Sequence, residues 1–246
     1  MHRTRTDEGW ILRRQEYGEA DLWLDVYAQA LGRVRVLARG ARKARSRKGG
    51  HLQLFQQVRM TLAQGRAWWI LTQAQSQRWF PELRQHLDRY AAAGYLAELV
   101  LRLVPEGERL PGLYPLLSQA LEAVARHPQG HWVPRYFEWK ILALAGYRPQ
   151  WDACVRCAQP MRLGRPKFFD PTAGGVLCPA CRTPRSLLLP DRAWAVLRHW
   201  DRATLDAVLR HPPEEDLFPQ LEALGRAYVQ TWLETPPRAW KVQREV

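Results

Sequence analysis

The sequence predicts an α+β protein of several domains: an N-terminal five-stranded β-barrel, then a C-terminal α-helical domain carrying an inserted module with four cysteines. Three observations predict this fold class. Apolar residues alternate with a period of two up to about residue 80, and the period then changes to about 3.6. Every cysteine falls in one of two Cys-x-x-Cys pairs.

The first third of the chain predicts five short strands separated by turn residues. In the second, Leu22, Leu24 and Val26 alternate with aromatic and polar residues, as in a half-buried strand. The predicted ranges are Gly9–Gln15, Asp21–Ala28, Arg33–Arg39, Gln53–Ala63 and Ala67–Ala74. Five strands in about 75 residues favour a closed barrel of the oligonucleotide-binding (OB) type, although an SH3-like barrel would show almost the same periodicity.

The helical period begins after Phe80-Pro81. The predicted helices are Glu82–Val104, Leu113–Arg126, Val133–Ala145, Pro190–Leu209 and Leu217–Glu234. Their apolar stripes predict packing in a helical bundle rather than a cofactor site. The predicted domains are residues 1–80 for the OB-type nucleic-acid-binding domain, 81–150 and 186–246 for the two parts of the helical domain, and 151–185 for the cysteine module.

The positive charge of the chain is large and uneven. The sequence has 37 Lys and Arg against 24 Asp and Glu, a net charge of +13, and residues 1–80 alone have 15 against 6, a net of +9. Such an excess predicts a polyanionic partner that binds mainly to the first third. No apolar run reaches membrane-spanning length, and the N-terminus lacks the apolar centre of a signal peptide, so we expect a cytoplasmic protein without a membrane partner.

The densest positive charge lies between Arg33 and Gly50, a stretch without any acidic residue. Its first half alternates like a strand with cations on the outer face, and the residues after Gly40 predict a mobile loop. The cations predicted to contact a nucleic acid are Arg33, Arg35, Arg39, Arg42, Lys43, Arg45, Arg47 and Lys48. A strand and loop of one charge favour repeated phosphates, while a solvated charge run that serves solubility is the alternative.

Aromatic residues of the barrel could stack on bases. Trp23 and Tyr27 share the strand face opposite the aliphatic residues, so we expect them to face outward and to stack on bases of a bound strand. Trp68 and Trp69 are adjacent and must face opposite sides of their strand, so at most one is available. The alternative for each ring is that it fills a core.

The cysteines follow the pattern C-x2-C-x20-C-x2-C, which is typical of two knuckles that share one tetrahedral Zn²⁺. The predicted ligands are Cys154, Cys157, Cys178 and Cys181. A hairpin formed by Phe168–Pro171 and Gly174–Leu177 would return the second pair to the first. We expect one structural zinc ion, with disulfides, a redox dithiol or an iron–sulfur cluster as alternatives. The chain lacks the H-x-E of zinc deaminases and the common catalytic motifs, which favours a protein that is not an enzyme.

Two motifs resemble those of the RecO family of bacterial recombination mediators: GWILRRQEYGEADL at Gly9–Leu22 and GRVRVLARGARKARS at Gly32–Ser46. Leu52–Phe55 and the cysteine region with Gly174–Cys178 are similar to further family motifs. The resemblance places the family's basic motif on Arg33, Arg35, Arg39, Arg42 and Lys43, and its zinc ligands on the four cysteines. The chain departs from the family at 28–31, where it has Ala-Gln-Ala-Leu before the glycine.

The resemblance implies a non-enzymatic mediator of DNA repair, associated with the nucleoid. Family members bind single- and double-stranded DNA and anneal complementary strands. They contact the acidic C-terminal tail of single-strand-binding protein, join RecR, and thereby help to load RecA. An RNA-binding or ribosome-associated zinc-containing OB module would follow the same charge logic and is the main alternative. A zinc-dependent enzyme acting on nucleic acid is a third.

Overall fold

The computed structural model describes residues 4–46, 48–238 and 240. The described residues divide into two compact units, one up to Arg126 together with residues 237, 238 and 240, the other His127–Pro236. Across the described ranges, no helix is both long enough and apolar enough to cross a membrane.

The N-terminal part of the first unit is a closed five-stranded barrel, which confirms the predicted fold. Its strands are β1 (Thr4–Tyr17), β2 (Asp21–Ala28), β3 (Gly32–Ala38), β4 (Gln57–Gln64) and β5 (Trp69–Arg78). They are ordered β1-β2-β3-β5-β4, and β1 closes the barrel by pairing with both β2 and β4. The β3–β5 pair is parallel and the other pairs are antiparallel. This order is the Greek-key order of an OB barrel, and it decides between the two barrel types that periodicity leaves open.

Several strand ends differ from the prediction. β1 is longer than predicted because it pairs with two strands, with β4 along its first half and with β2 along its second. Its polar residues beyond the apolar core are therefore still hydrogen-bonded in the sheet. β4 begins at Gln57 and not at Gln53. The intervening residues form a turn in which Phe55 has a φ of 60° and the Gln56 N–H donates to the Gln53 carbonyl at 3.3 Å.

The barrel core consists of the alternating aliphatic residues that the sequence analysis assigned to the inner face. On β2 these are Leu22, Leu24 and Val26, all fully buried. Gly9 permits the close approach of β1, because a Cβ atom at this position would lie 2.5 Å from Cγ1 of Val26. Ala41, the first residue after Gly40, is also buried in this core, so the basic loop is anchored at its start.

Three helices complete the first unit: α1 (Glu82–Gln85), α2 (Leu87–Leu103) and α3 (Leu113–Arg126). The prediction of one helix over Glu82–Val104 is wrong, because His86 adopts extended backbone angles between α1 and α2. The barrel and α3 are joined by side-chain contacts. The Trp10 indole N–H donates to Oγ of Ser118 at 2.7 Å, and the Gln57 amide donates to the Tyr114 hydroxyl at 2.7 Å.

The second unit contains four helices and a small three-stranded sheet. The elements are α4 (Val133–Leu144), β6 (Phe168–Asp170), β7 (Gly175–Leu177), β8 (Leu187–Leu188), α5 (Asp191–Arg202), α6 (Leu205–Arg210) and α7 (Phe218–Trp232). The predicted hairpin is confirmed as β6–β7. The predicted helix over Pro190–Leu209 is wrong: the chain is extended at Ala203 and Thr204, and the Thr204 side chain accepts from the Ala207 N–H at 3.3 Å to begin α6.

Aromatic residues build much of the second core. Trp139 lies 5.4 Å from both Trp151 and Tyr228, measured between ring centroids, and 5.6 Å from Phe169. All four rings are buried. Many of the twelve tryptophans therefore have a packing role, which was the alternative to base stacking.

Candidate nucleic-acid interface and metal centre

The outer face of β2 and β3 carries the predicted interface. Antiparallel pairing places Trp23 opposite Leu37 and Asp25 opposite Arg35. Side chains at adjacent positions on one face of a sheet can reach each other diagonally. The guanidinium carbon of Arg35 accordingly lies 4.6 Å from the centre of the Trp23 ring. A cation over the face of an indole is attracted by the ring's electron density and holds the ring in one orientation.

Two further aromatic rings join Trp23 on this face. The ring of Tyr17, at the end of β1, lies 5.8 Å from Trp23, and the ring of Trp68, in the β4–β5 turn, lies 5.3 Å from it at 85°. Tyr17 is 54% exposed and Trp68 is 46% exposed. We call Tyr17, Trp23 and Trp68 the aromatic cluster. Trp69, which follows Trp68 in the sequence, packs against the barrel core. Only Trp68 of this pair is therefore available to stack on a base, in agreement with the prediction that at most one of them is.

Tyr17 was not predicted to belong to the site, and Trp68 was predicted only as one of two adjacent tryptophans of which at most one is available. Tyr17 ends β1 beside the β1–β2 turn and Trp68 lies in the β4–β5 turn, and in OB barrels the β2–β3 face and these two turns commonly bind oligonucleotides. This rule, applied to the predicted strand ends, would have selected Tyr17, whereas Trp68 falls inside the predicted strand Ala67–Ala74. The rule also selects Arg66, which is exposed in the β4–β5 turn.

Tyr27 lies on the outer face of β2, as predicted, but the prediction that it is available to stack on a base is wrong. Tyr27 is fully buried. Its hydroxyl donates to the Leu110 carbonyl at 3.2 Å and accepts from the Leu110 N–H at 3.0 Å, and burial raises the pKa of the phenol. The segment between α2 and α3 covers this end of the strand face, so Tyr27 is not accessible to a base.

Arg33 is held by the same segment. Its Nη1 donates to the Val104 carbonyl at 2.6 Å, and its backbone N–H donates to the Glu108 carbonyl at 2.9 Å. The residue is partly buried. The Arg33 side chain therefore ties β3 to the end of α2, and it has less freedom than an exposed arginine to follow a phosphate.

The described cations that follow β3 divide into two groups. Arg39, Lys43 and Arg45 are exposed and form no ion pair among the described residues. Arg42 pairs with Glu16 at 2.9 Å, and the Lys48 ammonium donates to the carbonyls of residues 39 and 71 at 3.1 and 3.2 Å. Arg47 lies outside the described residues. The predicted cations are thus not equivalent. Arg39, Lys43 and Arg45 are the ones most free to bind an external phosphate.

Backbone hydrogen bonds bring the basic loop next to the turn that carries Tyr17. The Arg42 N–H donates to the Ala20 carbonyl at 2.8 Å, and the Gly40 N–H donates to Oδ1 of Asp21 at 2.7 Å. The loop that follows β3 therefore starts beside the β1–β2 turn. The aromatic cluster and the free cations occupy one end of the barrel.

The four cysteines meet in the second unit. Their Sγ atoms all lie within 4.8 Å of one another, and those of Cys157 and Cys178 are 3.7 Å apart. A disulfide has an S–S distance near 2.05 Å, whereas a tetrahedron with metal–sulfur bonds of about 2.3 Å has edges of about 3.8 Å. The arrangement therefore fits a four-thiolate metal site and not a disulfide pair.

Short turns hold the thiols toward one point. Ala158 has a φ of 59°, which lets its N–H donate to the Cys154 carbonyl at 2.9 Å, and the Cys181 N–H donates to the Cys178 carbonyl at 3.0 Å. The first knuckle is fixed to β7 by a hydrogen bond from the Val155 N–H to the Val176 carbonyl at 3.0 Å. The 20-residue excursion through β6 and β7 therefore returns the second pair to the first.

The electrostatics of the thiols also suit a cation. Burial raises the pKa of Cys154, but backbone N–H groups of Cys157, Cys178 and Arg156 stabilise its thiolate and lower the pKa to about 6. Hydrogen bonding with Cys178 raises the pKa of Cys181 to about 12. Four adjacent thiolates repel one another, and a bound divalent metal ion would stabilise all four together.

Two protein-family models match this chain, one in its N-terminal region and one in its C-terminal region. Residues 1–80 match the family model described as Recombination protein O N terminal, and residues 84–241 match the one described as Recombination protein O C terminal. Relatives of the chain include several named DNA repair protein RecO. The one from Roseiflexus sp. (strain RS-1) is 37% identical over 236 residues, which is 94% of this chain and 82% of the relative.

The relative from Dehalococcoides mccartyi (strain ATCC BAA-2266 / KCTC 15142 / 195) is 32% identical over 230 residues, which is 93% of this chain and 90% of the relative. The one from Desulforamulus reducens is 34% identical over 226 residues, or 91% and 88% of the two chains. The two family models together cover nearly the whole chain, and these similarities extend over both of its units. The protein therefore belongs to the RecO family of DNA repair proteins.

Proposed function

We propose that this RecO-family chain, whose role lies in DNA repair and recombination, is a non-enzymatic mediator. It binds single- and double-stranded DNA without strong sequence preference, anneals complementary strands, and helps to load recombinase onto DNA coated by single-strand-binding protein. One observation carries the DNA-binding part of the proposal: an aromatic cluster with two exposed rings, and with Arg35 over its central ring, lies at the same end of the barrel as Arg39, Lys43 and Arg45.

The two parts of this interface act on different parts of a nucleotide. Exposed aromatic rings stack on unpaired bases, and each stacked base contributes about 1–3 kcal/mol. The loop cations neutralise phosphates, and this contribution is independent of base identity and weakens as salt rises. A single strand can use both kinds of contact, whereas a duplex keeps its bases stacked internally and uses mainly the cations.

Annealing follows from the same contacts without bond-making chemistry. Complementary strands repel each other through their phosphates, and a cationic surface that holds two strands lowers this repulsion and raises their local concentration. Base pairing then supplies the free energy that drives the strands together. No nucleotide cofactor is needed for this step.

We further propose that the four-thiolate site binds one structural Zn²⁺. The ion would be held by Cys154, Cys157, Cys178 and Cys181, and with four protein ligands it leaves no position for a reacting water. The ion would link the two knuckles and thereby stabilise the β6–β7 hairpin. The zinc has no role in the proposed annealing step.

The proposed partners follow from family membership. They are RecR, the acidic C-terminal tail of single-strand-binding protein, and RecA through these two. We place this activity in the cytoplasm, at the nucleoid. The positive net charge of the chain supports attraction to an acidic tail, but it does not select a groove for it.

A strand-annealing assay tests the proposal. Complementary fluorescent oligonucleotides coated with single-strand-binding protein should anneal faster when the chain is added without ATP. The variant R39Q/K43Q/R45Q, which we call the barrel-loop variant, should lose most of the acceleration because its free phosphate contacts are removed. Equal annealing rates with and without the wild-type chain would refute the mediator role. Stronger competition by an RNA of the same sequence than by DNA would favour an RNA-binding role instead.

A further inference from the structure

The zinc module carries a second concentration of positive charge that the barrel interface does not include. Residues 151–190 contain six Lys and Arg against two Asp. Five of these cations are exposed arginines with no ion pair among the described residues, and we call them the knuckle arginines. They are Arg156, Arg162, Arg165, Arg182 and Arg185.

The acidic groups near this surface are all engaged elsewhere. Asp152 accepts from Arg198 at 2.6 Å and from Arg202 at 3.0 Å. Asp170 is buried and accepts from both the N–H and the hydroxyl of Thr172, and from the Thr183 hydroxyl at 2.6 Å. The next acid along the chain, at residue 191, pairs with the buried Lys167. The knuckle arginines therefore keep their charge uncompensated by side chains.

A four-thiolate zinc site would compensate only part of this charge. Zn²⁺ with four thiolates has a net charge of about −2, which leaves roughly +3 from the five arginines. Two of them flank the thiols directly, since Arg156 precedes Cys157 and Arg182 follows Cys181. Arginines that served only to balance the metal site would not need to exceed its charge.

The position of Arg182 is defined by an ordered turn. The Ser186 N–H donates to the Thr183 carbonyl at 3.1 Å, and the Thr183 N–H donates to Oγ of Ser186 at 3.1 Å. Arg182 lies over Phe168 with its guanidinium carbon 5.7 Å from the ring centre. Together with Pro184 these residues line an open cavity of about 370 Å³.

We propose that the zinc module is a second nucleic-acid contact surface, which holds phosphates through the knuckle arginines and has room for one base beside Phe168. This inference rests on the proposed DNA-binding function but assigns it a separate site. One feature favours nucleic acid over an acidic peptide. The guanidinium of an arginine pairs bidentately with phosphates and carboxylates alike, but the half-buried ring of Phe168 beside Arg182 offers a face on which a base can stack.

The salt dependence of DNA binding tests this surface in the full-length, metal-loaded chain. The module variant R156Q/R182Q/R185Q removes three free cations. The control variant R148Q/R192Q/R210Q removes three exposed arginines of the same unit that are already paired with acids. Both variants lose the same formal charge. Affinity for a long single-stranded oligonucleotide is measured by fluorescence anisotropy over a series of salt concentrations.

Each phosphate contact contributes about −0.7 to the log–log slope on a single strand, so the module variant should flatten the slope by up to about 2. The control variant should leave the slope nearly unchanged. The metal content of each variant is measured alongside. The charge-conserving variant R156K/R182K/R185K should keep most of the wild-type slope, which separates loss of phosphate contacts from loss of the fold.

An unchanged slope in the module variant, together with a flattened slope in the barrel-loop variant, would overturn the inference while the proposed function stands. Unchanged slopes in both would instead count against the barrel interface as well. A fluorescent oligoglutamate peptide provides a further arm, since exposed Leu163 and Leu188 would also suit a protein partner. Peptide binding that is lost in the module variant without any change in the DNA slope would assign this surface to an acidic protein.

Discussion

Trp23 and Tyr27 lie four residues apart on one face of β2, yet only Trp23 reaches the proposed interface. The periodicity of a strand determines the face on which a side chain lies, but not whether another segment covers that face. Here the α2–α3 connection covers Tyr27 and leaves Trp23 beside Tyr17 and Trp68. The contribution of each aromatic residue is therefore decided by tertiary contacts, and single substitutions can separate their roles.

The first prediction concerns Trp68. Replacing it by alanine should weaken binding of single-stranded DNA by about 1–3 kcal/mol, roughly 5- to 150-fold in Kd, because an exposed stacking surface is removed. Duplex affinity should change less, since paired bases do not stack on the ring. Titration of labelled oligonucleotides at fixed salt measures both values.

Trp79→Ala is the matched control for this substitution. Trp79 is 50% exposed, close to the value for Trp68, but no ring contact links it to the aromatic cluster. The Trp79→Ala variant should bind single-stranded DNA with the affinity of the wild-type chain. Equal losses for Trp68→Ala and Trp79→Ala would mean that the cluster is not the stacking site.

The second prediction concerns Tyr27. In Tyr27→Phe the partly buried Leu110 N–H and carbonyl lose their common partner, and an unsatisfied polar group costs about 1–3 kcal/mol when it is buried. The free energy of unfolding from urea denaturation should fall by about this amount. DNA affinity at a temperature where the variant is folded should stay at the wild-type value, and a loss comparable to that of Trp68→Ala would restore Tyr27 to the interface.

At the scale of elements, the sequence predicted the five strands, the cysteine knuckles and most of the helix boundaries, because each depends on local periodicity or spacing. It did not predict the break at His86, since neither proline nor glycine marks that position. The break before α6 could have been predicted from the sequence, because Thr204 is a good N-cap residue. The engagement of Arg33 and Lys48 with backbone carbonyls depends on segments distant in sequence, and no local pattern contains it.

The third prediction concerns the knuckles. Cys178→Ser removes one of four thiolates that converge on one point, so the chain should bind substantially less than one metal ion per molecule. Metal binding to a structural site contributes to folding stability, on the order of 10 kcal/mol in small zinc-binding peptides, so thermal unfolding of the second unit should shift to lower temperature. Atomic emission spectroscopy and calorimetry measure the two effects.

Chelation of the wild-type metal should reproduce the calorimetric shift, and adding Zn²⁺ back should reverse it. The shift should be the same with and without a thiol reductant, because the thiols are free and not paired as disulfides. A metal-free chain with an unshifted unfolding transition would rule out a stabilising role for the site.

At the scale of the whole molecule, positive charge is present on both compact units, but it lies in a different structural setting in each. In the first unit it follows a strand and its loop, next to exposed aromatic rings. In the second it surrounds the four thiols. Among the described residues, the free cations of both surfaces lie on a barrel strand, loops and turns and not on a helix, the element that commonly enters the major groove for base-specific recognition. Phosphate contacts and stacking do not distinguish sequences strongly.

The fourth prediction follows from this distribution of charge. Single-stranded oligonucleotides of one length and composition, but of scrambled sequence, should bind with Kd values that agree within about threefold. A bidentate contact to one base would discriminate by about 1–3 kcal/mol, so sequence-specific recognition would produce differences of tenfold or more. Anisotropy titrations at one salt concentration, with four or more scrambled sequences, measure the spread. A reproducible tenfold preference for one sequence would show that part of the surface contacts base edges, and Arg35 at the aromatic cluster and Arg66 in the β4–β5 turn would then be the first residues to replace.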